Sequence, residues 1–163
     1  MKAKLIIEGK EFEIEMSNEA LKVLGVKRTG YERVAQGEKY YYVDCEDAVD
    51  SVSEDNLDSD EASYDCANYY SDEIVAENNA RADRLMRQLR RFAVEHREKE
   101  IKLENSPYFI SYNPSNNEFK ALTTAGMVDF GAIFFESQWD AELAINVFYD
   151  ELIWYFTEYK DSL

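Results

Sequence analysis

Between Asp44 and Asp65 the chain places Asp44, Glu46, Asp47, Asp50, Glu54, Asp55, Asp58, Asp60, Glu61 and Asp65 in one run that contains no lysine or arginine. Carboxylates at this density could hold Mg²⁺ or Ca²⁺ and assist hydrolysis, or they could present a negative surface to a cationic partner. The metal chemistry needs converging ligands. "DSDEASYDC" has neither the glycine nor the terminal glutamate of a calcium loop, and no carboxylates elsewhere form an obvious second half of a site. The run therefore reads as a surface. Asp47, Asp50, Glu54, Asp55, Asp58, Asp60 and Glu61 are its expected charged contacts, with Tyr64, Tyr69 and Tyr70 as aromatic anchors, because tyrosine is favoured at interfaces. A solvated acidic loop would have the same composition.

The opposite charge collects further on. Arg81, Arg84, Arg87, Arg90, Arg91 and Arg97 fall within one helical pattern, where Glu77 stands four residues before Arg81 and Asp83 four before Arg87, so part of the charge pairs locally. The remainder is expected to lie against the acidic run, its stems covering apolar surface. Arg84, Arg90, Arg91 and Arg97 are alternatively a nucleic-acid contact strip.

Other reactive groups are sparse. His96 is the single histidine and falls on an apolar stripe, which predicts a partly buried packing role. Cys45 and Cys66 are the only cysteines and form no C-x-x-C pair, so free thiols are expected and a zinc site is not. The chain lacks a G-x-S-x-G elbow, a Walker sequence and a Rossmann glycine pattern. No catalytic residue, cofactor or metal ligand is assigned, and a non-enzymatic role is expected.

A formal charge of −16 over 163 residues opposes general binding to nucleic acid or anionic lipid and suits a basic protein partner. Direct contact with nucleic acid and with membranes is therefore not expected, while self-association stays open. The apolar run after Met1 is too short for a signal peptide, and no stretch approaches a membrane span, which predicts a cytoplasmic protein. With 45% apolar residues, the length suffices for one domain with its own core or one domain with an appendage.

The elements that must position these residues are legible as alternation and period. Residues 3–16 alternate around Gly9-Lys10 as a hairpin, and Ser17 can cap a short helix closed by Gly25, giving a ββα unit over 1–26. Residues 27–38 read as a linker. The main body, 39–163, begins with the strand "KYYYVD". A short edge strand around "AVDSV" is compatible with the acidic run, but closely spaced like charges oppose any long element there.

Val75, Ala82, Leu85, Met86, Leu89, Phe92, Ala93 and His96 give one stripe of a helix from about Asp72 to about Lys99. "YFISYNPSNNEFKALTT" predicts two strands around a turn, and "VDFGAIFF" a third. Ser137 then caps a final helix, with Asp140 as its reciprocal partner and Ala141, Ile145, Phe148, Leu152, Phe156 and Tyr159 along its apolar stripe.

An aromatic pair, a polar cap and an Ala-bearing helix recur in "YYSDEIVAENNARADRLMRQLRRF" and "FFESQWDAELAINVFYDELIWYF". Two strand-strand-helix units, 39–99 and 106–161, are the expectation, within an α+β fold: a small N-terminal ββα unit and an antiparallel-sheet body with two main amphipathic helices.

The phrases "MKAKLIIEGKEFEIEM", "TGYERVAQGEKYYYVD", "ANYYSDEIVAENNARADRLMRQLRRFAVEH" and "FESQWDAELAINVFYDELIWYF" together resemble a family of small acidic proteins encoded by phages and prophages of Gram-positive bacteria. In that family an interchangeable amino-terminal piece precedes a body with an "NYF"-like entry into a helix ending in "LRRFA". Similar phage proteins include anti-CRISPR inhibitors. The resemblance implies a phage accessory protein in the cytoplasm of a bacterial host cell, whose basic partner is a CRISPR effector nuclease, with the acidic surface mimicking DNA in its nucleic-acid channel. A nucleic-acid-binding or regulatory phage protein using the arginine helix, or a phage interaction module without a defence role, are the alternatives. The matching phrases are scaffold features and carry no catalytic residue.

Overall fold

Three alternating segments of the sequence become hairpins and the 3.6-period segments become helices in a computed structural model that describes residues 2–7, 10–15, 29–124 and 131–159. The third strand expected in "VDFGAIFF" is not formed in its described part, 131–135, which contributes only the bridge at Phe135. Strands β1 (Lys2–Ile7) and β2 (Lys10–Glu15) pair antiparallel with Ile7 opposite Lys10. Lys10, expected in the turn, thus belongs to β2. The short helix expected after Ser17 lies outside the described residues.

Strands β3 (Lys39–Val43) and β4 (Val49–Ser53) form a second hairpin, and the edge strand around "AVDSV" is β4. Helix α1 (Asp58–Asp65) and helix α2 (Glu73–Glu95) follow. A third hairpin, β5 (Tyr108–Asn113) with β6 (Glu118–Thr123), leads to helices α3 (Gln138–Val147) and α4 (Tyr149–Trp154). The class is α+β. The strands described form three two-stranded antiparallel sheets.

The chain divides into two compact units, Met1–Ala80 and Arg81–Leu163. Residues 29–38, expected within the linker, are bonded into the first. Ser71 N–H donates to the Gly30 carbonyl at 2.8 Å, Val34 N–H to the Tyr69 hydroxyl at 3.2 Å and Gly37 N–H to the Glu54 carbonyl at 2.7 Å. Gly30 is required at its place: its φ is +86°, and a Cβ there would meet Val75 Cγ2 at 2.6 Å.

The repeat seen in the sequence has a structural counterpart inside each unit. In the first, Tyr41 and Tyr70 exchange backbone hydrogen bonds of 2.8 and 2.9 Å, so the second residue of the "YY" pair docks on the hairpin edge. Two residues later, Asp72 accepts from Ile74 and Val75 N–H at the start of α2. In the second unit, Tyr108 and Phe135 exchange bonds of 3.0 and 2.8 Å, and two residues later Ser137 caps α3 by accepting from Asp140 N–H at 3.1 Å. The bridge makes the aromatic pair turn inward, and the cap two residues on starts a helix directly from it. The reciprocal bond of the expected capping box is altered: Asp140 accepts from the Ser137 hydroxyl, at 2.7 Å, through its side chain.

The core of the second unit is built from Leu85, Leu89, Phe92 and Ala93 of α2, Phe135, Ala141 and Ala144 of the α3 region, and Leu152. Burial of each large side chain contributes about 1.5–3 kcal/mol. Arg81, expected to pair with Glu77, instead grips Glu151 with Nε and Nη2 at 2.8 and 3.1 Å and lies 3.9 Å over the Trp154 ring. The final helix is interrupted at Phe148, whose φ of −108° and ψ of 20° separate α3 from α4, and its last turn, Tyr155–Tyr159, is π-helical. There the Thr157 hydroxyl donates to the Ile153 carbonyl at 2.7 Å, a bond that bends helices.

Candidate functional site

The acidic run is divided by the fold into carboxylates that hold the first unit together and carboxylates that face outward. Glu54 and Asp60 are 1% and 2% exposed. Glu54 sits one residue beyond β4, and Asp60 occupies the first turn of α1. Three acids in that turn, Asp58, Asp60 and Glu61, complement the helix dipole, which explains why a helix forms where like charges accumulate. Leu57, at the N-cap, has no side-chain acceptor. Asp60 supplies the missing bond from the other direction, its Oδ2 accepting from Leu57 N–H at 2.9 Å and from Asp55 N–H at 3.0 Å.

Two tyrosines join these acids. Tyr40 and Tyr69 stack with centroids 3.9 Å apart and an interplanar angle of 14°. The Tyr40 hydroxyl donates to Asp60 Oδ1 at 3.0 Å, and the Tyr69 hydroxyl to Glu54 Oε2 at 2.9 Å. Arg33 closes the network, with Nε 3.1 Å from Glu54 Oε2, Nη1 on Glu61 and the guanidinium 5.6 Å over the Tyr64 ring. Arg33, from the segment expected to be a linker, is thus a cation that this run meets.

Burial raises the cost of charge on Glu54, but Arg33, the Tyr69 hydroxyl and Asn56 N–H outweigh it and hold the carboxyl below its ordinary range. Asp60 is also lowered, chiefly by Leu57 N–H, with Asp55 N–H and the Tyr40 hydroxyl adding to the effect. Burial pushes the Tyr69 phenol up, helped by the Glu54 charge. Among the described residues no buried polar side-chain atom lacks a hydrogen-bond partner. Glu54 and Asp60 are therefore satisfied structural acids.

Of the ten expected contacts, Glu54, Asp60, Tyr69 and Tyr70 are buried and hold the first unit together. Asp50, Asp55, Asp58 and Glu61 are exposed, Asp47 is half-buried, and Tyr64 keeps 40% of its surface. Asp47 lies in the β3–β4 turn at φ 65°, held by its N–H on the Asp44 carbonyl at 3.2 Å. The outward group is carried by the β3–β4 hairpin, the connection holding Asp55, and α1. Sequence reasoning missed Arg33 and Asn68, whose amide bonds both the N–H and the C=O of Val43 at 2.8 and 2.9 Å as a strand would. The signal for Asp60 was local, an acid three positions after a cap that has no acceptor of its own.

The arginine strip is interrupted. Arg84, Arg90 and Arg91 are exposed on α2, but at about 100° per residue Arg84 and Arg91 share a face with Arg87 while Arg90 is well round the helix. Arg91 lies 3.7 Å from Glu95, and Arg97 falls beyond the last helical residue. His96 is exposed where partial burial was expected, because the helix ends just before it. Its ring stacks on Phe92 at 3.8 Å, with Nδ1 2.9 Å from the Phe92 carbonyl.

Cys45 and Cys66 are exposed free thiols. Among the described residues no group of three or more His, Cys, Asp and Glu side chains is placed to hold a metal ion, and no helix is long and apolar enough to cross a membrane. The chain matches no protein-family model, no curated protein and no solved structure.

Proposed function

We propose that the protein is a non-catalytic binder of a basic, nucleic-acid-handling partner, and that it inhibits a host defence nuclease of the CRISPR type as a phage accessory protein. The observation that carries the reading is the division of the acidic run. Glu54 and Asp60 are spent inward on hydrogen bonds, while Asp50 on the hairpin, Asp55 in the connection after it, and Asp58 and the Arg33-paired Glu61 on the helix are exposed. Fixed carboxylates lose less entropy on binding than those of a solvated loop, and they can replace phosphates in a positively charged channel. Tyr64, edge-on to Tyr69 at 5.4 Å, offers the aromatic anchor beside them.

The test is affinity capture from a bacterial host lysate at low and high salt, with two variants beside wild type. Replacing Asp47, Asp50, Asp55 and Asp58 by Asn should abolish retention of a basic nucleic-acid-handling protein, and wild-type retention should fall as salt rises. Retention that survives the Asn set but is lost when Arg84, Arg90, Arg91 and Arg97 become Gln would overturn the reading in favour of a nucleic-acid binder. That second reading is supported by the shared face of Arg84, Arg87 and Arg91.

A further inference from the structure

Among the described residues, helix α3 buries small side chains on one side and leaves Trp139 and Val147 exposed on another. Asp140, Ala141 and Ala144 face inward and are buried. Trp139, Leu143 and Val147 follow one another at four-residue steps, which at about 100° per residue places them in an arc about 80° wide on the other side. Trp139 is 65% exposed and Val147 57%, while Leu143, in the middle of the arc, is half-buried and packs against the core. Asn146, also exposed, lies about 20° outside this arc on the Trp139 side. A stripe about 100° wide is what a surface helix turns toward a neighbour. Single exposed apolar residues need no explanation, but a tryptophan in line with two aliphatic residues along two turns does.

The surroundings select the neighbour. Residues 131–159 contain Glu136, Asp140, Glu142, Asp150, Glu151 and Glu158, six carboxylates, and no lysine, arginine or histidine. Glu151 is paired with Arg81 and Glu136 has Lys99 and Arg97 close by, while Glu142, one residue before Leu143, and Asp150, three after Val147, are exposed, with no such cation paired to them among the described residues. A second copy of this chain, at −16, would bring the same acids against themselves, and an anionic membrane would be repelled in the same way. An apolar stripe with an acidic rim is complementary to a basic amphipathic helix, which lays apolar anchors on the stripe and lysines or arginines on the rim.

We infer that the outer face of α3, centred on Trp139, is a second docking surface, for a basic amphipathic helix of a partner protein. It shares no residue with the acidic face of the first unit, and its affinity is apolar first and electrostatic second.

The experiment uses the full-length chain and three labelled synthetic peptides: a helical Leu/Lys amphipath, a Ser/Lys peptide of equal charge, and a Leu/Glu amphipath. Fluorescence anisotropy should show the Leu/Lys peptide binding at least tenfold more tightly than the Ser/Lys peptide, with no binding of the Leu/Glu peptide. Trp139→Ser with Val147→Ser should erase the tenfold preference while leaving the circular dichroism of the folded chain unchanged. Glu142→Gln with Asp150→Asn should weaken Leu/Lys binding severalfold.

The Asn set at Asp47, Asp50, Asp55 and Asp58 should leave the preference intact, so failure here and failure of the acidic-surface reading are distinguishable. Equal binding of Leu/Lys and Ser/Lys peptides, or a preference that survives the double Ser variant, would overturn the inference. So would a wild-type dimer in sedimentation that the Ser variant dissociates, or adsorption to phosphatidylglycerol vesicles that it abolishes, since the occupant would then be a second copy or a lipid surface.

Discussion

The Tyr69 hydroxyl donates to Glu54 Oε2 at 2.9 Å while accepting from Val34 N–H at 3.2 Å, so one phenol joins the segment before β3 to the acid after β4. Tyr69→Phe removes both bonds, leaving the half-buried Val34 N–H without its acceptor and Glu54 Oε2 with Arg33 Nε alone. The expected cost is about 1–3 kcal/mol per orphaned group. Chemical denaturation should show that loss with an unchanged dependence on denaturant. A stability within 0.5 kcal/mol of wild type, roughly the spread of neutral surface changes, would mean that the network does not hold the first unit.

A backbone prediction comes from Gly30. Its φ of +86°, and the 2.6 Å that would separate an added Cβ from Val75 Cγ2, make Gly30→Ala both strained and overpacked. A loss of about 1–3 kcal/mol from the strain is expected, and more if Val75 cannot move. Gly37, at φ +84° with open space around it, should show the strain alone and is the matched control. Thermal melts of the two variants, taken side by side, check the difference.

Acid should weaken the first unit in a defined window. Glu32 is partly desolvated, which by itself raises its pKa. Thr29 N–H, its own backbone N–H and the Thr29 and Ser71 hydroxyls prevail and bring it from the usual 4.5 to about 2. A carboxyl depressed in the folded state stabilises above its unfolded pKa, and that contribution is lost as pH falls from about 4.5 towards 2. Because the group is not deeply buried, the effect is on the order of 1 kcal/mol after solvent screening. Glu32→Gln should therefore be less stable than wild type at pH 7, and the gap should narrow by pH 3. A gap that is constant with pH would refute the assignment.

The hairpins, the stripe of α2 and the Ser137 cap were legible because each is written within a few residues of itself: alternation in "KYYYVD", steps of three and four from Ala82 to Ala93, a serine ahead of an apolar run. The inward acids were not. Glu54 meets Arg33 across 21 residues and Tyr69 across 15, and nothing local distinguishes it from Asp55, which faces solvent. The break at Phe148 was equally silent, since neither proline nor glycine marks it and the apolar period runs through it. The aromatic pairs gave half of their meaning. The repeat was visible, but that Tyr70 and Phe135 each bridge a hairpin edge follows only from long-range pairing.

The two capping residues that follow those bridges can be compared directly. Asp72→Ala removes the acceptor of Ile74 and Val75 N–H, and Ser137→Ala removes the acceptor of Asp140 N–H. Each should cost about 1 kcal/mol, within the range for lost N-caps. Gly at either position should cost only a few tenths. If Ser137→Ala is neutral, Asp140 is not held by the cap, and the bond from the Ser137 hydroxyl to Asp140 carries no stability either.

The inward and outward acids should separate in one experiment. Asp60→Asn trades a carboxylate that accepts from Leu57 N–H, Asp55 N–H and the Tyr40 hydroxyl for an amide with one acceptor atom, so at least one buried donor loses its partner. A loss of about 1–3 kcal/mol is expected. Asp55→Asn and Asp50→Asn change exposed groups and should stay within about 0.5 kcal/mol, or gain slightly as repulsion is relieved. Partner binding should follow the reverse order, lost in the exposed pair and retained by whatever fraction of Asp60→Asn remains folded. Measuring stability and retention on the same three variants tests the division itself: if Asp60→Asn is as stable as Asp55→Asn, the run is a uniform acidic loop, and the fixed surface proposed for binding does not exist.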